Sequence, residues 1–169
     1  MRMQLYAAIK ELLTEIKTTD DKPFFNTVDL WNGQTELPTE EQAFRLPAAF
    51  LEFSDITYER QLNGVQNALC EFTIHVVTDS RRAKLEQCLQ GSTLLCSLLN
   101  SWLFQFASAG KFGSIVRTRS QTDQNFDEWI ENRETYVCNI VDNSARRTFT
   151  SVDVDNIAIL CGIRRASAE

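Results

Sequence analysis

Glycine, proline and histidine are scarce in this 169-residue chain, which contains six glycines, three prolines and one histidine. The low glycine and proline counts exclude a collagen-like repeat and a low-complexity chain. The glycine-rich patterns that cradle nucleotide phosphates are also missing. Apolar residues make up 43% of the chain and charged residues 24%, which is typical of a globular domain. We therefore expect residues 1–169 to form a single domain.

Positive charge is in short supply. The chain has 17 Lys and Arg residues against 23 Asp and Glu residues, for a formal net charge of −6. Because nucleic-acid affinity depends on cations that neutralise phosphates, such a chain is a poor candidate for coating duplex DNA. The scattered arginines favour salt bridges across a protein interface, with plain surface solvation as the alternative.

Long apolar runs and metal-type cysteine spacings are lacking as well. The first residues have neither the apolar block nor the cleavage site of a signal peptide, so we expect no secretion. Residues 87–110 carry no charged side chain, but their many Gln, Ser, Thr and Asn residues disfavour insertion into a membrane. The five cysteines match no zinc spacing, which favours buried free thiols in a reducing cytoplasm.

Hydrophobic periodicity predicts two helices and several strands. Apolar residues at three- and four-residue steps predict helices over 4–17 and 81–107, the second apolar on more than one side and open to a kink at Gly91. Alternating or apolar runs predict strands over 24–31, 46–53, 65–78, 115–122 and 134–142, with 156–163 as a further candidate. No regular βαβ alternation occurs. The sequence therefore predicts an α+β fold, a mostly antiparallel sheet of four to six strands with two main helices packed on one face.

Residues suited to catalysis or metal binding are few. His75 lies in mid-strand without a serine or cysteine motif near it, which favours a partly exposed strand residue over a catalytic base. Asp123, Asp127 and Glu128 cluster in a loop but lack the residue order and glycine of a calcium-binding loop. We expect no catalytic residue, no metal site and no cofactor, and we interpret the chain as a protein that is not an enzyme.

Several segments in a fixed order carry a resemblance to a known family. An amphipathic helix over 5–16 is followed by the strand 46–53, Leu-Pro-Ala-Ala-Phe-Leu-Glu-Phe, and by a long strand ending in Val76 and Val77. A long uncharged Leu-rich helix and the strand 136–142, Tyr-Val-Cys-Asn-Ile-Val-Asp, come next. Over residues 4–142 the chain resembles phage tail terminator proteins, also described as tail completion or minor tail proteins. Residues 143–169 form a C-terminal extension without a counterpart.

The resemblance implies a structural protein of a phage or prophage virion. Proteins of this family assemble as a hexameric ring on the last ring of tail-tube protein, stop tube growth, and present a surface to the head–tail connector. The resemblance also implies a place in the tail or neck, assembly in the cytoplasm of the bacterial host, and DNA that only passes through an acidic lumen. The residues that we expect at protein interfaces are Phe112, Arg117, Arg119, Phe126 and Trp129.

Two arguments select those five residues. The aromatic side chains are predicted to lie exposed in loops, where large aromatic residues anchor interfaces. Arg117 and Arg119 are two positions apart in a predicted strand and are expected to share one face.

Three alternatives stay open. In the first, the chain is another neck or head-completion protein, or a tail-tube subunit that polymerises by itself. In the second, it is a small-molecule-binding or enzymatic α+β domain, in which His75 or the loop with Asp127 and Glu128 lines a closed pocket. In the third, it is a host-encoded interaction module unrelated to phages.

Overall fold

The structure, a computed structural model, describes residues 2–18, 20–36, 44–79, 85–107, 112–123 and 129–146. Helix α1 spans Arg2–Glu15 and helix α2 spans Leu85–Ala107. The strands are β1 Thr27–Leu30, β2 Ala48–Phe53, β3 Tyr58–Arg60, β4 Gln66–Asp79, β5 Phe112–Asp123 and β6 Trp129–Asp142. The candidate strand 156–163 and the possible start of α2 at 81–84 lie outside the described residues.

The strands form one sheet in the order β1-β2-β4-β6-β5, and β3 pairs with the first residues of β4. All pairs are antiparallel except β1 with β2. The two central strands, β4 and β6, have 14 residues each and pair from end to end, from Gln66 opposite Asp142 to Asp79 opposite Trp129. The prediction of an α+β fold with a mostly antiparallel sheet is confirmed.

Both helices pack on the same face of the sheet, as predicted. Leu5, Ile9 and Leu13 of α1 join Leu95 and Leu99 of α2 in one buried cluster. The strands contribute to that cluster the residues that alternate toward the helices: Cys70, Phe72, Ile74 and Val76 of β4, and Tyr136, Cys138 and Ile140 of β6. We call this side the helix face and the opposite side the open face.

Gly91 serves close packing. The sequence leaves a kink open at this residue, but α2 runs from Leu85 to Ala107 as one helix. A Cβ at Gly91 would lie 2.9 Å from Phe24 Cε1 and 3.3 Å from Val76 Cγ1. The absence of a side chain therefore allows the helix to lie directly against the sheet.

Strand β6 begins earlier than the sequence predicted, at Trp129 rather than at residue 134. The run Glu131, Asn132, Arg133 and Glu134 contains too much charge to indicate a strand. In the sheet, all of these residues pair with β4, and three of them are buried. Their polar groups are accommodated because they hydrogen-bond to side chains from other elements.

None of the helices that the structure describes is long and apolar enough to cross a bilayer.

Candidate functional site

The described parts of the connection between β1 and β2 cover part of the open face. Its described ends, residues 31–36 and 44–46, return over the sheet and place Trp31, Phe44 and Leu46 against a second, small apolar cluster. That cluster consists of Ala48, Phe50, Val77 and Trp129. The apolar residues at positions 31, 44 and 46 are the sequence signal that this connection covers part of the sheet.

A buried polar cluster lies beside these apolar residues, with Glu131 at its centre. The Glu131 side chain has no exposed surface, and its carboxylate accepts a hydrogen bond from Thr35 Oγ1 at 3.0 Å. Arg133 donates to the same carboxylate through Nε at 2.8 Å and through Nη2 at 3.4 Å. The Nδ1 atom of His75 lies 2.5 Å from Glu131 Oε1. Three separate elements therefore meet at one carboxylate.

His75 is buried, so the expectation of a partly exposed strand residue was wrong. Only 3% of its surface is accessible, and its ring stacks on the Trp31 indole at a centroid distance of 4.0 Å and an angle of 4°. Its Nε2 atom lies 3.0 Å from Glu52 Oε2. A protonated imidazole donates to both Glu52 and Glu131, whereas a neutral ring donates to one of them. The partners come from β2 and β6, which no local sequence pattern around residue 75 indicates.

Hydrogen bonding sets the ionisation of Glu131. Burial by itself raises the pKa of this carboxyl group, but the hydrogen bonds and charges of His75 and Arg133 outweigh it and hold the pKa at about 2, below the ordinary value of 4.5. The same contact raises the pKa of Arg133. Glu131 is therefore ionised in the folded protein at neutral pH.

The lowered pKa of Glu131 predicts a specific loss of stability in acid. Because protons bind this carboxyl group more weakly in the folded chain, its contribution is present above pH 4.5 and is lost as the pH falls toward 2. The full contribution is about 3 kcal/mol. In urea titrations, the difference in unfolding free energy between the native chain and Glu131→Gln should shrink from about pH 6 to about pH 3.

The matched control is Glu15→Gln, which changes an exposed carboxylate of α1. This variant should stay within about 0.5 kcal/mol of the native chain at each pH. A difference in unfolding free energy between Glu131→Gln and the native chain that stays constant across this range would contradict the assignment of the acid-sensitive stability to Glu131.

A surface pocket of about 300 Å³ opens above the polar cluster. Its lining includes Trp31, Glu52, His75, Arg119 and Arg133. The second alternative reading of the sequence expects His75 to line a closed pocket; the structure places it at this pocket, which is open to the surface. Both of its ring nitrogens, however, already face carboxylate oxygens.

Arg117 and Arg119 lie on opposite faces of the sheet, so the prediction of a same-face pair was wrong. Arg117 is opposite Tyr136 and Arg119 is opposite Thr135, which means that β5 holds one extra residue, Thr118, between them. This bulge reverses the alternation of side chains along the strand. Both arginines are exposed.

On the helix face, Arg117 contacts a second buried carboxylate, Glu134. The Arg117 Nη1 atom donates to Glu134 Oε2 at 3.3 Å, and Ser120 Oγ donates to Oε1 at 2.8 Å. The Asn132 amide donates to the same Oε1 at 2.6 Å. Sequence reasoning missed both Glu131 and Glu134, because partners such as Thr35 and Arg117 lie on other elements.

The expectation that Phe112 and Trp129 are exposed loop aromatics was wrong. Phe112 begins β5, pairs with Ile140, and is 4% exposed within the main core. Trp129 begins β6 and is 8% exposed in the small cluster of the open face. Both side chains are buried because strand pairing extends further than the sequence indicated. Phe126, Asp127 and Glu128 lie outside the described residues.

Comparisons with known proteins bear on the fold. No protein-family model matches the chain, and no curated protein does. Among solved structures, the fold is similar to that of a chain in the structure described as "Virion of native gene transfer agent (GTA) particle". The TM-score is 0.54 at 14% sequence identity, and the match covers 82% of this chain and 95% of that chain. At this identity the likeness is one of fold.

Proposed function

We propose that the chain is a structural virion protein that closes the end of a phage-type tail tube as a hexameric ring and joins the tail to the head connector. The observation that carries this proposal is the fold similarity to a chain of a gene transfer agent virion, because the match spans 95% of that chain. The order of helices and strands supports it independently, since this order carries the resemblance to tail terminators.

The proposal includes the partners and the place of the protein. Its partners are copies of itself, the tail-tube protein and the head–tail connector, and DNA passes through the lumen without being bound. It is assembled in the cytoplasm of the bacterial host and remains in the tail or neck of the virion. The net charge of −6 supports this role, because a lumen of like charge does not retain DNA.

A non-catalytic role is part of the same proposal. The buried carboxylate Glu131 is a poor proton donor near neutral pH, because its pKa is about 2. His75 is held on both sides by carboxylates. The pocket above them favours a small-molecule-binding domain as the second candidate, with Arg119 and Arg133 as groups that would contact an anion.

Deletion of the gene from its phage or prophage provides the test. We expect tails of irregular length without attached heads in electron micrographs, and normal particles when the gene is supplied in trans. Tails of normal length, joined to heads, would contradict the proposal and favour the small-molecule-binding candidate. Purified protein that grows into long tubes by itself would instead identify a tail-tube subunit.

A further inference from the structure

The two lateral edges of the sheet differ in charge, which matters for a ring. A closed ring of identical subunits uses a head-to-tail contact, so that two different and complementary surfaces meet. In the described sheet, β5 forms one edge, while β1 and β3 lie toward the other. A contact between subunits therefore has two distinct surfaces available on each copy.

An acidic groove begins at the β3 edge and extends across the open face to Asn139 of β6. We define it by Asp55, Glu59, Asn67 and Leu69. Its volume is about 530 Å³. Asp55 and Glu59 are exposed, and Leu69 exposes 58% of its surface on the open face. Within the part of the chain that the structure describes, the Oδ1 atom of Asn67 is buried and has no hydrogen-bond partner. The groove thus offers negative charge and an apolar contact.

The opposite edge carries a basic ridge, which we define by Val116 and Arg119 of β5. Val116 is opposite Val137 and Arg119 is opposite Thr135, so both side chains point to the open face. Val116 exposes 53% of its surface. Within the described residues Arg119 has no carboxylate partner, whereas Arg117 on the other face is paired with Glu134. The bulge at Thr118 therefore places one unpaired cation next to one exposed apolar side chain.

We infer that the basic ridge of one copy docks in the acidic groove of a second copy, which deepens the proposed function and rests on it. Arg119 lies against Asp55 and Glu59 of the neighbour, and Val116 lies against the neighbour's Leu69. A guanidinium carries five N–H donors, enough to contact both carboxylates. Opposite charge and matching apolar patches on the two edges give the contact its direction.

Charge reversal tests this contact in the full-length protein. We expect light scattering to report the mass of a ring for the native chain. For Arg119→Glu and for Glu59→Arg separately, we expect assembly to weaken, with the dissociation constant raised at least about tenfold. An equimolar mixture of these two variants should assemble again, because residue 119 of each variant then meets a residue 59 of opposite charge on the other. The double variant should assemble by itself for the same reason.

Arg45→Glu is the matched control, since it reverses an exposed arginine near the start of β2 and should assemble as the native chain does. Thermal unfolding checks that each variant is folded. Native chains that stay monomeric at every concentration would overturn the inference, as would single variants that assemble normally or a mixture that does not recover. Tail length in the deletion strain reports on the proposed function separately, because it does not depend on which surfaces meet.

Discussion

Replacing Glu131 with alanine is expected to lower the free energy of unfolding by about 3–5 kcal/mol. The variant removes the carboxylate that accepts hydrogen bonds from Thr35, His75 and Arg133. Thr35, His75 and Arg133 then lose one partner each, and breaking a buried ion pair is among the most destabilising changes in a protein. Urea unfolding at neutral pH, followed by circular dichroism, measures the effect.

Glu52→Gln is the control for this prediction. Glu52 also contacts His75, but 48% of its side chain is exposed, so water compensates for much of the loss. We expect a decrease of at most about 1 kcal/mol. Equal effects for Glu131→Ala and Glu52→Gln would show that the buried position of Glu131 carries no special weight.

Truncation of Trp129 to alanine is expected to lower the free energy of unfolding by about 3–5 kcal/mol. The indole fills the small cluster on the open face with Phe50 and Val77, and its ring lies 6.2 Å from the Phe44 ring. Its removal leaves a cavity between the sheet and the covering connection, which the surrounding side chains fill only in part. Thermal and urea unfolding of the purified variant test this expectation.

The same experiment separates a core role from the interface role that the sequence predicted for Trp129. A variant as stable as the native chain but unable to assemble would support the interface role and contradict the core role. Val116→Ala is the comparison, because that side chain is 53% exposed and its truncation should change stability by at most about 0.5 kcal/mol.

Regular elements were predictable where one pattern repeats along the chain. In β4, Cys70, Phe72, Ile74 and Val76 alternate onto the helix face as the sequence indicated. The strand predicted over 46–53 was also correct, because β2 spans Ala48–Phe53, directly after Pro47. Such patterns are local, because each side chain direction follows from the period of its own element.

The candidate site was less predictable, because its partners are far apart in the sequence. Thr35 and Glu131 are 96 positions apart, and His75 and Glu131 are 56 positions apart. Nothing near His75 indicates that two carboxylates and an indole surround it. The charged run 131–134 looked like a loop because the sequence shows its charges without their partners.

The amino-acid sequence by itself determined the α+β class, the two helices on one face of the sheet and the scarcity of catalytic groups, because these depend on composition and periodicity. Only the tertiary structure decided where the polar residues lie. Pairing with β4 brought Trp129 and Glu131 into a strand, and the bulge at Thr118 separated Arg117 from Arg119. The physical reason is that one inserted residue reverses every later side chain of a strand, whereas burial of a charge depends on partners contributed by other elements.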